Sequence, residues 1–175
     1  VAAACHAMAI RFHRGGKLVC FGSGGPSTDA QHIAVEFVHP VIVGKRALPA
    51  ISLTGDVATL TSIAGREGYA EVYAHQLRHL AAPDDIALGV SVDGNDPAVL
   101  RGLEVAAELG LLTIALVGGD GGRTAGNAAV HHALVARSDD PLVVKEVHVT
   151  AYHVLWELVH VLFEQPGVLD PEVIR

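Results

Sequence analysis

The chain predicts an α/β fold, a three-layer αβα sandwich built on a five-stranded parallel sheet. Three observations carry this. Short apolar runs alternate with stretches of helical periodicity along the chain. Half of the 175 residues are apolar, mostly Ala, Val and Leu with few aromatics, which suits buried parallel strands packed on small-residue helices. The connections are short and rich in Gly, Asp and Pro. No repeat, low-complexity segment or linker interrupts the pattern, so one domain is expected over residues 1–175.

Taken in order, Ala2 to His13 carries apolar residues at helical spacing and stops at Gly15-Gly16. Lys17-Leu-Val-Cys-Phe21 reads as the first strand, and a helix follows to about Phe37. Ala47 to Leu53 is the second strand. Val57 to Ala64 and Tyr69 to Leu80 are helical, split by Gly65 to Gly68. Ile86 to Val92 is the third strand, and the helix after it starts with Asp96 as N-cap and Pro97 in the first turn, ending at Gly110. Leu112 to Val117 is the fourth strand, Gly118 to Gly122 a turn, and Ala133 to Arg137 the fifth strand. A last helix spans roughly Pro141 to Phe163, stopped by Pro166-Gly167.

In such a sheet, ligands bind beyond the carboxyl ends of the strands, where the loops Gly22–Pro26, Thr54–Asp56 and Asp93–Asp96 converge. The first is the most informative. Glycines admit a ligand close to the backbone, and the helix N-terminus favours an anion. The same turn also serves as a plain strand-to-helix connection. His32 and Glu36, four residues apart, share one face of the helix that follows. That pair suits metal binding or acid/base work, and equally a surface Glu beside a structural histidine.

A formal charge of −7 with no basic cluster excludes a general nucleic-acid binder. No apolar run is long enough to span a bilayer, and Arg11 and Arg14 follow the first apolar segment where a signal peptide would place charge before it. A cytoplasmic location is expected, with Cys5 and Cys20 as small core residues and no disulfide. The helical pattern begins almost at Val1, so the natural start is expected upstream.

The motifs Gly22-x-Gly-Gly-x-x-x-Asp-Ala-Gln-His-x-x-x-Glu36, Leu53-Thr-x-Asp56 with Leu60-Thr-x-Ile63-Ala, Gly94-Asn95-x-Pro97-x-Val99-Leu100, Gly118-x-Asp-Gly-Gly122, and Glu146-Val-His148 with His153 follow one another over nearly the whole chain. In that order and spacing they resemble the sugar-isomerase (SIS) domain family, a flavodoxin-like fold, and within it the phosphoheptose isomerases. The resemblance implies aldose–ketose isomerisation of a sugar phosphate such as sedoheptulose 7-phosphate, in a homotetramer with sites between subunits. It implies zinc held by His32, Glu36 and His153, with Glu36 and His153 as the acid/base pair. The fourth ligand position falls on Lys145. Ser23, Gly24 and Gly25 would contact substrate from the first turn, Gly55 and Asp56 from the second loop, and Ser91, Val92, Asp93 and Asp96 from the third, with Lys145 beside them.

Several of these positions depart from the family pattern. Lys145 stands where the family has a glutamine, and a protonated lysine cannot coordinate zinc. The phosphate loop, Ser-Thr-Ser-Gly-Asn-Ser in the family, reads Ser91-Val-Asp93-Gly-Asn-Asp96. A phosphate dianion ~4 Å from one carboxylate meets repulsion of about 4 kcal/mol per charge at an effective dielectric of about 20. A Lys145–Asp93 ion pair would fill the vacated space. Two further readings therefore stand beside the isomerase: a non-catalytic SIS module that binds a carbohydrate derivative or a protein, and a zinc isomerase with another substrate. His131, His132, His148 and His160 lie outside the matched ligand set and read as structural or solvated. Acid/base residues on one early and one late helix fit a site completed across a subunit interface.

Overall fold

The computed structural model describes residues 1–165, 167 and 169. Five parallel strands run in the order β2-β1-β3-β4-β5: β1 Leu18–Gly22, β2 Ala50–Ser52, β3 Ile86–Ser91, β4 Leu112–Gly118 and β5 His132–Ala136. The helices are α1 Ala2–His13, α2 Gly25–Val38, α3 Val57–Glu67, α4 Val72–Leu80, α5 Pro97–Glu108, α6 Gly122–Ala125 and α7 Pro141–Glu164. A 3-10 turn, Tyr69–Glu71, joins α3 to α4.

Strand residues alternate between the two faces, and each face has its own helices. Leu18, Cys20, Ile86, Leu88, Ile114 and Leu116 pack under α1, α2 and α7, with Met8, Ile33, Phe37 and Trp156. Val19, Phe21, Ala87, Ala115 and Val117 pack under α3, α4 and α5, with Ile63, Tyr73 and Leu103. Both cysteines are free and buried in the first cluster, and burial pushes both thiols up in pKa. Chain order reverses at β1: its neighbours β2 and β3 leave in opposite directions. The crevice between the ends of β1 and β3 is therefore the switch point of the sheet.

Local differences from the sequence pattern have local causes. The second strand is shorter than Ala47–Leu53 because Leu48 spends its N–H on the Phe37 carbonyl and Pro49 has none to give. α3 continues through Gly65 and stops at Gly68, whose φ of +94° suits glycine. The turn after β4 closes into α6, and the first strand is displaced by one residue towards the C-terminus relative to Lys17–Phe21. The Pro166 stop for the last helix lies outside the described residues. Among these no helix is long and apolar enough to cross a membrane.

Candidate active site

α2 leaves β1 through Ser23-Gly24, where Gly24 adopts φ +67°. Ser27 and Thr28 donate their hydroxyls to the carbonyls of Gly24 and Gly25, which holds the first turn together. One face of α2 then carries Asp29, His32 and Glu36 at helical spacing. α7 lies alongside, its buried stripe including His148, Tyr152 and Trp156. The Trp156 indole donates to the Glu36 carbonyl at 2.8 Å and ties the two helices together.

This packing brings His32, Glu36 and His153 together within one chain, with one ligand atom from each lying within 4.8 Å of the others. The meeting of an early and a late helix therefore does not by itself call for a second subunit. His32 Nε2 is 3.1 Å from Glu36 Oε1, and the His32 and His153 rings meet edge to face at 5.4 Å. Two imidazoles and a carboxylate suit zinc, and three protein ligands leave a position open for substrate. His32 Nδ1 lies 2.8 Å from the Tyr152 hydroxyl. Burial, with the charges of Asp29 and Glu36, pushes the Tyr152 phenol up to about 12, so it stays protonated.

Lys145 is drawn elsewhere. Its ammonium pairs with Asp29 and lies 3.4 Å from Thr28 Oγ1. The expected Lys145–Asp93 pair is not what forms. Asp29 is only 2% exposed and a buried carboxylate requires a partner, whereas Asp93 is exposed and bonded within its own loop.

In that loop Asp93 accepts from the Asn95 N–H at 2.9 Å and from the Ser91 hydroxyl, and Asp96 caps α5 by accepting from Ala98 and Val99. The Asp96 cap is the one expected from sequence. The two carboxylates thus take N–H groups that an anion at this helix start would use. Gly94 is at φ +73°, where an added Cβ would strike Gly121, and its carbonyl accepts from both Thr124 N–H and Thr124 hydroxyl. The Gly118–Gly122 motif is therefore the buttress of the β3 loop.

A cleft of about 320 Å³ at the switch point is lined by Ser23, Pro26, Ser91, Val92, Asp93, Asn95 and Asp96. Beside it a second cleft, about 310 Å³, includes Gly25, Asp29, Lys145 and His148. Gly24, Gly55 and Asp56 line neither. Asp56 instead caps α3, and the Thr59 hydroxyl and N–H hold its carboxyl below the usual range.

Sequence reasoning misses three residues. Asp29 carries a signal, a polar residue on an otherwise buried helix face. Tyr152 has only its place beside His153. His148, outside the matched ligand set, is buried, and its Nε2 has no hydrogen-bond partner. His160 and His131 do fit the structural reading, bonded to Arg46 O and Thr113 respectively.

The sequence pattern of the SIS domain matches residues 1–118. The chain belongs to the SIS domain family. A phosphoheptose isomerase of Desulfovibrio desulfuricans is 43% identical over 161 residues, 90% of this chain and 75% of that protein. One from Solidesulfovibrio magneticus is 40% identical over 172 residues, covering 98% and 83%. Among solved structures, a phosphoheptose isomerase from Francisella tularensis superposes with a TM-score of 0.84 at 31% identity, over 91% of this chain and 84% of that one. The five-stranded parallel sheet described above is thus that of a SIS domain of the phosphoheptose isomerase type.

Proposed function

We propose that this SIS domain is a sugar-phosphate isomerase that interconverts sedoheptulose 7-phosphate and its aldose partner. The observation that carries the reading is the convergence of His32 and Glu36 on α2 with His153 on α7, in a chain about 40% identical to phosphoheptose isomerases. Glu36 takes the proton from the carbon next to the carbonyl and returns it to the neighbouring carbon. His153 gives a proton to the carbonyl oxygen and accepts one from the adjacent hydroxyl, so the aldose and ketose differ only in where two hydrogens sit. His32 brings its Nε2 to 3.1 Å from Glu36 Oε1, so that the two side chains offer their donor atoms at one point. Zinc held by these three residues would polarise the substrate oxygens.

The reading includes a cytoplasmic homo-oligomer, taken as a tetramer from the family resemblance and checked by sedimentation. The deciding assay follows conversion of sedoheptulose 7-phosphate, with Glu36→Gln and His153→Ala as inactive controls. No conversion by metal-loaded protein would overturn the isomerase. The second reading, a non-catalytic module for an unphosphorylated or cationic sugar derivative, draws on the carboxylates of Asp93 and Asp96 in the cleft. Binding of such a sugar without turnover would favour it.

A further inference from the structure

The walls of the switch-point cleft are the turn after β1, with Ser23 and Pro26, and the loop after β3, with Asp93, Asn95 and Asp96. Tyr73 lines neither wall. It is a 2% exposed residue of α4, on the face of the sheet opposite to α2 and α7. Its ring stacks on Phe21 with centroids 5.2 Å apart, and a Cβ added at Gly102 of α5 would come within 3.2 Å of the Tyr73 Cβ. So held, the side chain reaches across to the end of β1, where its hydroxyl donates to the Gly22 carbonyl at 2.7 Å. Burial pushes the phenol up to about 12, so it keeps the proton that it gives to Gly22. The other groups that act on the phenol are Ser23 and Asp96, one from each wall, and Tyr69.

Gly22 has no slack. An added Cβ there would lie 2.9 Å from the Pro26 Cβ and from the carbonyl oxygens of Pro26 and Val90. A carbonyl fixed at Gly22 therefore fixes the point from which Gly24 turns at φ +67° and α2 starts. Ser23 comes between them. The residue lines the cleft, but its Oγ is buried and has no hydrogen-bond partner, so the hydroxyl is turned inward, on the side of the phenol. A buried polar atom left unpaired is costly. The Tyr73 oxygen still has a lone pair after donating to Gly22, so a slight settling of the turn supplies Ser23 with an acceptor.

We propose that Tyr73 is a positioning residue of this cleft: from the opposite face of the sheet its hydroxyl holds Gly22 and Ser23, and so sets the turn against which the substrate lies. The inference rests on the sugar-phosphate reading and adds to it a residue that does not line the cleft. Proton transfer belongs to Glu36 and His153, on α2 and α7, away from the phenol. A change at Tyr73 therefore alters how the sugar phosphate is held and leaves the chemical step alone.

The test is Tyr73→Phe, which removes one oxygen and keeps the ring. KM for sedoheptulose 7-phosphate is expected to rise about tenfold, with kcat within about threefold of the wild type. Ser23→Ala should do the same, and the double variant should be little worse than either alone, because both act through one contact. Val72→Ala, a fully buried neighbour in the same core cluster, measures destabilisation by itself. It should lower the melting temperature and leave KM unchanged. A wild-type KM in Tyr73→Phe overturns the proposal. So do single effects that multiply in the double variant, or a rise in KM for Val72→Ala equal to that for Tyr73→Phe. Calorimetric titration with the same sugar phosphate separates this from failure of the isomerase reading. Tyr73-dependent binding without turnover removes the isomerase and keeps the positioning role, whereas turnover with an unaffected Tyr73→Phe does the reverse. Neither binding nor turnover by the wild type at millimolar concentration overturns both.

Discussion

The Tyr152 hydroxyl lies 2.8 Å from Nδ1 of His32, and the same phenol ring stacks edge-on against both His32 and His153. A buried side chain from α7 thus sets the ring orientation of a histidine on α2. For Nε2 of His32 to offer a lone pair, Nδ1 must carry the proton and donate it to the phenol oxygen. Partners of this kind are worth roughly 10–100-fold in metal affinity. Tyr152→Phe is therefore expected to weaken zinc binding by about tenfold, measured by competition with a chromophoric chelator, while the fold is kept. Unchanged affinity would mean that the hydroxyl only fills space.

Glu36→Gln keeps the size of the side chain and its contact with His32 but removes the basic oxygen. Isomerase turnover is expected to fall by about 10²–10⁴-fold, with a melting temperature close to that of the wild type. Retention of turnover would require another base.

Removal of the α5 cap has a separate signature. Asp96→Ala leaves the Ala98 and Val99 N–H groups without their acceptor and is expected to cost about 1 kcal/mol in urea unfolding. Asp96→Ser retains an acceptor and should lie near the wild type. Equal losses in both would indicate that charge, not capping, is what Asp96 supplies.

Burial lowers the pKa of His148 below its usual value near 6.5, outweighing the Val117 backbone hydrogen bond and the Asp29 carboxylate, which both act to raise it. The unfolded chain therefore binds the proton that the folded chain refuses, so stability declines as pH falls from about 6.5 towards the lowered folded value. Chemical unfolding of wild type and His148→Gln, compared from about pH 8 down to about pH 5, should show a shallower acid decline in the variant. Parallel curves would place the acid sensitivity elsewhere.

Lys145→Ala strands the buried Asp29 carboxylate, and is expected to cost about 1–3 kcal/mol, more than an exposed pair would. Lys145→Gln should cost less because its amide still donates to Asp29. An alanine variant as stable as wild type would show that water replaces the ammonium.

Much of the fold was legible because it depends on patterns that repeat locally. The strand runs alternate between faces, Gly15-Gly16 and Gly110 stop helices, and Asp96-Pro97 starts one; each is decided by the chemistry of a few neighbouring residues. His32 and Glu36 were legible for the same reason, since a helix places residues four apart on one face.

The sequence by itself determined the kind of elements, their order, and which residues on α2 and α7 carry nitrogen and carboxylate donors. Tertiary structure decided how those donors are engaged. It set Lys145 against Asp29, 116 residues apart, and Tyr152 against His32, 120 apart. It also turned the carboxylates of Asp93 and Asp96 back onto their own loop. Neither outcome follows from periodicity, because a charge chooses its partner by burial. Asp29 is sealed between two helices and must be matched there, whereas Asp93 stands open to water and can satisfy itself with its neighbours' backbone.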